Sequence, residues 1–351
     1  MKPKRKKRTW LKILLILLGV LLIAYLSGPK SKKVDFSKLH LTQYSSDLQV
    51  LEDSISAAES VMPLKKDNHA RIVWATPYTK TPYSMVYLHG HGASQEEGDP
   101  IHEGLAHRYG CNLFLSRLEG CGLITDEPLL ELDAAQWMQS AMDAIAVGKS
   151  LGNKVILISC STGSTLGLYL EAQYPDLVAA HIMLSPNIDF YDSRSILLTQ
   201  PWGLQIARKL VGGNYYSWDP PQVAQQYWYT TYRIEGLITL KSMITKTMTA
   251  STFRAIKDPV YMAYYYLDKE HQDDVVSVKR MRQMYNQLGT PEALKKSVAL
   301  PNAGTHIIAS DMFNDNLNTL WEPLTLYCEN VLKLSVADSS DYITFMDLRP
   351  R

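Results

Sequence analysis

Residues 154–167 read KVILISCSTGSTLG, and this stretch decides the fold. Val155 to Ser159 is an unbroken apolar run of the length of a buried strand. Small residues follow it, and a helical pattern over residues 165–174 ends before Pro175. The stretch therefore predicts a strand that enters a helix through a tight bend with Ser161 at its centre. An ordinary strand–helix turn is the alternative interpretation.

Strands and helices alternate along most of the chain. The predicted strands are 71–76, 84–88, 112–117, 155–159, 179–185, 260–266 and 297–300, and the predicted helices are 48–62, 101–109, 133–151, 165–174, 278–288 and 317–334. This rhythm indicates an α/β protein with a mostly parallel sheet covered by helices on both faces.

The alternation breaks between residues 190 and 254. This segment is rich in Trp and Tyr and gives helical patterns without strands, which predicts an inserted helical cap. The predicted organisation is a basic head and membrane anchor (1–28), a tether (29–44), the first part of the core (45–189), the cap (190–254), the second part of the core (255–335) and a C-terminal tail (336–351).

Three further groups of polar residues each come directly after a predicted strand. The strand 84–88 ends in His89-Gly90-His91-Gly92, a glycine-rich turn. Residues 264–276 contain Asp268, Asp273 and Asp274, and the pattern Asp-x-Val-Val selects Asp273 among them. His306 follows the last strand, whereas the candidate histidines that precede that strand are 89, 91, 102, 107, 181 and 271.

Together these motifs resemble the α/β-hydrolase family, over about residues 71–334. The stretch around Ser161 resembles the nucleophile elbow G-x-S-x-G, with Ser159 in place of the first glycine. The chain order Ser161, Asp273, His306 is that of the family's Ser–Asp–His triad. The resemblance is greatest to the monoacylglycerol-lipase-like and serine-aminopeptidase-like branch, in which a helical cap is inserted.

The resemblance implies a role for each of these residues. Ser161 would be the nucleophile, His306 the general base and Asp273 the acid that orients it, with Asp274 and Asp268 as alternatives. The backbone N–H groups of His91 and Thr162 would form the oxyanion hole. No metal and no organic cofactor is expected.

An aromatic cap suits an apolar acyl chain, so we expect a small-molecule acyl substrate and a carboxylesterase or lipase-like activity. A peptidase would need acidic cap residues to hold a free amine, and the cap has only Asp192, Asp219 and Glu235. A serine peptidase or amidase, an acyltransferase and, in a different class, a non-catalytic membrane-anchored scaffold remain alternatives.

The N-terminus has the composition of a membrane-targeting segment. Six basic residues between positions 2 and 8 precede an apolar run from Ile13 to Leu26, which predicts a signal anchor or a cleaved signal peptide. Only three basic residues follow shortly after the run. By the positive-inside rule, we expect a single-pass protein of the cell membrane with a cytoplasmic head and an extracytoplasmic catalytic domain. Secretion after cleavage is the alternative.

The overall composition excludes several other classes. A net charge of +1 gives no basic surface for nucleic acid, so no nucleic-acid partner is expected. Four cysteines without a C-x-x-C pair support neither a disulfide framework nor a zinc ribbon. The oligomeric state is left open.

Overall fold

The computed structural model describes residues 4–337, with side chains from residue 9 onward, and is built on a seven-stranded sheet. Residues 338–351 of the predicted tail lie outside the described residues. The strands are β1 (Arg71–Val73), β2 (Thr81–Leu88), β3 (Asn112–Leu115), β4 (Gly152–Cys160), β5 (Ala180–Leu184), β6 (Tyr215–Ser217), β7 (Thr231–Arg233), β8 (Val260–Tyr265) and β9 (Lys295–Leu300). The large sheet has the order β1-β3-β2-β4-β5-β8-β9, and only β1 pairs antiparallel with its neighbour.

The described residues form ten α-helices. They are α1 (Lys4–Leu26), α2 (Leu48–Ser60), α3 (Ile101–Tyr109), α4 (Ala134–Leu151), α5 (Thr162–Gln173), α6 (Gly203–Val211), α7 (Ile234–Thr247), α8 (Ala250–Ala255), α9 (Val278–Gln287) and α10 (Asn318–Asn330). Their starts follow local chemistry: Asp133, for example, accepts hydrogen bonds from the N–H groups of Ala135 and Gln136 and caps α4.

Helices cover both faces of the sheet because its central strands are apolar on both sides. In β4, Val155 and Leu157 join one core, which includes α4, α5 and α9, while Ile156 and Ile158 join the other, which includes α3 and α10. Successive residues of a strand point to opposite faces, so the continuous apolar run is what a doubly covered strand requires. The predicted fold class is confirmed.

The segment predicted as a cap without strands contains a small sheet. Strands β6 and β7 pair antiparallel, with Tyr216 opposite Tyr232, and lie between the helices α6 and α7. The expectation of a purely helical insertion was therefore wrong. All three residues of β6 are exposed, so no buried-exposed alternation in the sequence marks it as a strand.

The N-terminal helix α1 stands apart from the core. Its segment Thr9–Leu26 is long and apolar enough to cross a membrane, with a mean hydropathy of 2.4, and none of it is buried in the structure. A core helix of this composition would be buried. Two hydrogen bonds connect the end of α1 and the following tether to the cap: the Trp202 indole N–H donates to the Ala24 carbonyl at 3.1 Å, and the Trp202 backbone N–H to the Pro29 carbonyl at 2.9 Å.

Candidate active site

Ser161 occupies a strained turn between β4 and α5. Its φ of 49° and ψ of −115° lie outside the conformations common for a residue with a side chain. Such a conformation costs about 1–3 kcal/mol and persists only where the surroundings enforce it. Here the Ser161 N–H donates to the Leu184 carbonyl at 3.0 Å. An ordinary strand–helix turn needs no such strain, so the geometry favours the nucleophile-elbow interpretation.

The elbow packs directly on the end of strand β2. A Cβ atom at Gly163 would lie 2.1 Å from the Leu88 carbonyl oxygen, so only glycine fits at this contact. Gly90 also lies close to this turn, since a Cβ there would be 3.0 Å from the Ser161 Cβ. The turn that follows β2 is therefore held against the turn that carries Ser161.

His306 lies between Ser161 and Asp273 in hydrogen-bonding geometry. Its Nε2 is 3.0 Å from the Ser161 Oγ, and its Nδ1 is 2.6 Å from the Asp273 Oδ2. The other Asp273 oxygen accepts hydrogen bonds from the N–H groups of Val275 at 3.0 Å and Val276 at 2.9 Å. All three side chains are buried, with 6% exposure for Ser161. The three residues selected from the sequence thus meet at one point.

The two alternative acids lie elsewhere. Asp274 is exposed, although its charge still acts on His306, and Asp268 pairs with His271 on the surface at 3.0 Å. Of the two valines after the acid, only Val276 is buried, whereas Val275 is 51% exposed. Burial therefore holds the loop at Val276 alone, while the backbone N–H groups of both valines bind Asp273.

The electrostatics of the cluster suit a proton acceptor. Burial by itself would lower the pKa of His306, but the adjacent Asp273 carboxylate outweighs this and raises the pKa. Asp273 fixes the Nδ1 side of the imidazole as the donor, which leaves Nε2 free to accept the Ser161 proton. Little solvent reaches the group, so competing hydrogen bonds from bulk water are excluded.

The two predicted oxyanion donors flank Ser161. Thr162 is the first residue of α5, so its N–H has no acceptor within the helix. His91 follows Gly90 in the turn that packs on Ser161. The His91 ring packs against aromatic side chains, with its centroid 5.5 Å from that of Trp137 and 5.2 Å from that of Tyr232. Burial lowers the pKa of His91 to about 3. The backbone of His91, rather than its side chain, is thus the group that could serve the site.

Two buried groups near the elbow were not found from the sequence. Glu97 is 3% exposed and accepts a hydrogen bond from the Gly90 N–H at 2.5 Å, which ties down the turn that carries His91. Burial raises the pKa of Glu97, and the Gly90 hydrogen bond opposes that shift. The Glu96-Glu97 doublet so soon after the glycine-rich turn was the available signal.

The second group explains why a serine replaces the first glycine of the elbow. The Ser159 hydroxyl is 2.6 Å from the His181 Nε2 and 2.8 Å from the Ser164 hydroxyl. On the far side, His181 Nδ1 is 2.6 Å from a Glu171 carboxylate oxygen, a close ionic contact that is poorly aligned for a hydrogen bond. All four side chains are buried. The network is closed to substrate, so it supports the elbow and is not a second active site.

The cap joins both loops of the candidate site. Trp228 and Ala224 of the cap pack with Ala93, from the turn after β2, and with Ile307, which follows His306. The Tyr229 N–H donates to the Gly92 carbonyl at 2.8 Å. A cavity of about 330 Å³ lies between the tether, the cap and residues 130–135 of the core, and none of the three triad candidates lines it.

Comparison with known proteins identifies the fold. No family model and no curated protein matches the sequence. Among solved structures, the chain is similar to one described with LipS and LipT, two metagenome-derived lipolytic enzymes (14% identity, TM-score 0.61, 76% of this chain and 99% of that one). It is also similar to Est1E from Butyrivibrio proteoclasticus with ferulic acid bound (16%, 0.53, 76% and 95%) and to the monoacylglycerol lipase of Paleococcus ferrophilus (14%, 0.53, 74% and 98%). The chain therefore has the α/β-hydrolase fold, as the sequence motifs predicted.

Proposed function

We propose that the protein is a serine hydrolase that cleaves a carboxylic ester through an acyl-enzyme on Ser161. The observation that carries the proposal is the hydrogen-bonded series of Ser161, His306 and Asp273 at a strained elbow, with distances of 3.0 and 2.6 Å. Lipolytic and esterase activities occur among the proteins that share the fold, which is consistent with this choice but carries no weight alone.

The mechanism follows from the positions of the groups. His306 takes the Ser161 proton through Nε2 as the hydroxyl attacks the acyl carbonyl, and Asp273 stabilises the resulting imidazolium. The N–H groups of His91 and Thr162 hold the oxyanion of the tetrahedral intermediate. His306 then protonates the leaving alcohol and activates a water that releases the acyl group. Every proton passes through His306, so this sequence of steps requires no other acid or base.

The cap favours an ester over a peptide with a free amino terminus. Recognition of an ammonium group needs an unpaired acidic side chain near the acyl site. In the cap, Asp192 pairs with Arg194 at 2.7 Å, Glu235 pairs with Arg233 at 2.8 Å and also with Arg208, and Asp219 is exposed. Aromatic residues such as Trp228 face the loops of the site instead, which suits an apolar acyl chain.

A membrane position is the second part of the proposal. The exposed apolar helix α1 would anchor the protein, with the basic head in the cytoplasm and the catalytic domain outside. Trp202 of the cap contacts Ala24, near the end of the apolar segment, so the cap would lie close to the lipid headgroups. N-terminal sequencing of the membrane fraction tests the anchor: a start well past Gly28 would show cleavage.

The nucleophile is tested by labelling full-length protein in detergent with a fluorophosphonate probe. We expect labelling that Ser161→Ala abolishes and that Ser56→Ala, an exposed serine on α2, leaves intact. Labelling that persists in Ser161→Ala would refute the assignment.

The substrate class is tested by hydrolysis of p-nitrophenyl esters of increasing acyl length beside amino-acid p-nitroanilides. Ester turnover that vanishes in Ser161→Ala supports the proposal, and the optimum chain length measures the acyl pocket. Turnover of the anilides alone would indicate a peptidase, and transfer to an added alcohol in preference to water would indicate an acyltransferase. If neither substrate is hydrolysed and no labelling occurs, the result would favour the non-catalytic scaffold.

A further inference from the structure

A polar cavity of about 230 Å³ lies at the start of helix α3, and its lining does not include the triad. Ionisable side chains form most of its walls, namely Asp67, Arg71, Glu96, Asp99, His102 and Glu103. Arg71 pairs with Asp67 at 3.2 Å, so its positive charge is matched at that side of the cavity. The lining contains four carboxylates, from Asp67, Glu96, Asp99 and Glu103, and one arginine, a balance that attracts a cation.

Three donors converge inside this cavity. One ligand atom from each of Asp99, His102 and Glu103 lies within 4.8 Å of the other two. Three atoms that are all 4.8 Å apart lie about 2.8 Å from a common centre, so bonds of about 2.0–2.2 Å need shifts of less than about 1 Å from each side chain. Asp99 lies just before helix α3, and His102 and Glu103 lie in its first turn, so the three residues are close together in the chain.

The state of the His102 ring is the independent observation that points to a metal. Its Nε2 is 2.8 Å from the Gln95 carbonyl oxygen, which can only accept, so Nε2 carries the proton. The Nδ1 atom then presents a lone pair, and it is buried without a hydrogen-bond partner in the described part of the chain. The residue has 0% exposure, and the Tyr87 ring packs on it at 4.7 Å between centroids.

This arrangement is what a metal-binding histidine requires. A ligating imidazole is neutral, binds through one nitrogen and donates the other N–H to a backbone carbonyl or carboxylate that fixes its orientation. The described residues give this buried acceptor no hydrogen-bond partner, and such groups are uncommon in proteins.

We propose that Asp99, His102 and Glu103 bind a divalent transition metal, for which Zn²⁺ is the appropriate probe. Mixed imidazole and carboxylate donors favour zinc-like ions, whereas Ca²⁺ and Mg²⁺ prefer oxygen donors alone. The site takes no part in acyl transfer.

The position of the site gives the ion a structural role. Pro100 forms a β-bridge with Ser310, and the Asp311 N–H donates to the Asp99 carbonyl at 3.3 Å. Residues 99–103 follow the turn that carries His91, and residues 310–311 follow His306 closely in the chain. A metal at Asp99 would thus fasten together the two loops that hold the proposed oxyanion donor and the proposed base. This consequence for activity rests on the proposed function, but metal binding does not.

The test measures binding directly on untagged, full-length protein treated with chelator. Isothermal titration with Zn²⁺ should give one tight site per chain and a rise in Tm of several degrees. Glu103→Gln and Asp99→Asn, which keep the side-chain shape, should each weaken Zn²⁺ binding at least tenfold. Asp268→Asn is the matched control, because Asp268 contacts His271 in an exposed pair far from the proposed ligands in sequence, and it should change nothing.

Several outcomes would overturn the proposal. These are the absence of Zn²⁺ binding, wild-type affinity in both ligand variants, or preference for Ca²⁺ over Zn²⁺. Circular dichroism of the metal-free variants establishes that they are folded, and His102→Asn replaces any variant that is not. Because heat and Tm are read without substrate, failure of the metal site and failure of the hydrolase assignment are distinguishable.

Discussion

Gly163→Ala adds one methyl group at the contact between the elbow and strand β2. The new Cβ would lie 2.1 Å from the Leu88 carbonyl oxygen and 2.9 Å from that of His89. Because these are backbone atoms, a change of side-chain rotamer cannot relieve the clash. The elbow and the turn after β2 must therefore separate by about 1 Å before the contact reaches the 3.0–3.4 Å of tight packing.

That displacement sets the expected magnitudes. The proposed oxyanion donors, His91 and Thr162, lie on opposite sides of the Gly163 contact. After a separation of about 1 Å, their two N–H groups no longer reach the same oxyanion position. A misplacement of this size costs on the order of 100-fold in rate, or about 2.7 kcal/mol of transition-state stabilisation. Overpacking costs about 1–3 kcal/mol of folding free energy, from which the better helix propensity of alanine recovers up to about 1 kcal/mol.

The assay compares kcat/KM for a p-nitrophenyl ester and the free energy of unfolding in urea. Gly213→Ala is the matched control, because a Cβ there meets nothing within 4 Å and the residue has no positive φ. We expect a loss in kcat/KM of about 100-fold in Gly163→Ala and less than twofold in the control. Activity within about twofold of wild type in Gly163→Ala, with unchanged stability, would refute the assigned contact and the oxyanion geometry built on it.

Three further predictions follow from the same geometry. The value of kcat/KM should rise with pH as His306 loses its proton, with a midpoint above pH 6.5 because Asp273 raises the His306 pKa. The contribution of the His306–Asp273 pair to folding stability has the opposite pH dependence. It is present below pH 6.5 and is lost as the pH rises through the raised pKa. Asp273→Asn should lower kcat strongly, by up to about 10⁴-fold, and move the remaining acid limb to lower pH, whereas Asp274→Asn should keep most of the activity; the reverse order would reassign the acid. Glu171→Ala removes the buried carboxylate that lies 2.6 Å from His181 Nδ1 and should lower the unfolding free energy by about 1–3 kcal/mol, the range for disruption of a buried polar network. Urea denaturation measures the change, and a loss below about 0.5 kcal/mol would show that the contact contributes little.

The core elements were predictable because their patterns are local. Helix α3 spans the predicted residues 101–109, and α4 begins one residue after its capping Asp133. Apolar runs marked the central strands, although β4 extends beyond the predicted 155–159 to Gly152–Cys160 because strand pairing continues past the apolar residues. Such patterns record burial and capping, which each stretch of sequence carries by itself.

The three triad candidates could also be selected from sequence, but the choice of Asp273 over Asp274 depended on a pattern whose geometry was unknown. The structure distinguishes the two by burial and by the Val275 and Val276 N–H groups. What sequence could not reveal were pairings between distant residues. The contact of Glu171 with His181 joins helix α5 to strand β5, and no local pattern in the sequence predicts it.

The cap was the least predictable region for a related reason. Strand β6 is fully exposed, and its pairing partner β7 lies more than ten residues away. Short exposed strands have neither an apolar alternation nor a two-residue turn to identify them. Aromatic enrichment indicated an insertion, and only the fold showed which loops its aromatic residues contact.

The hydrogen bond from the cap residue Tyr229 to Gly92 has a consequence for the timing of turnover. Trp228, its neighbour, packs against both Ala93 and Ile307, so the cap is a third wall shared by the loops before and after the reacting centre. A movement of the cap that admits a substrate would break the bond to Gly92 and separate the cap from both loops. In the proposed hydrolase, the open and the competent states would therefore exclude each other, and each reaction cycle would contain one opening for entry and one closure for chemistry.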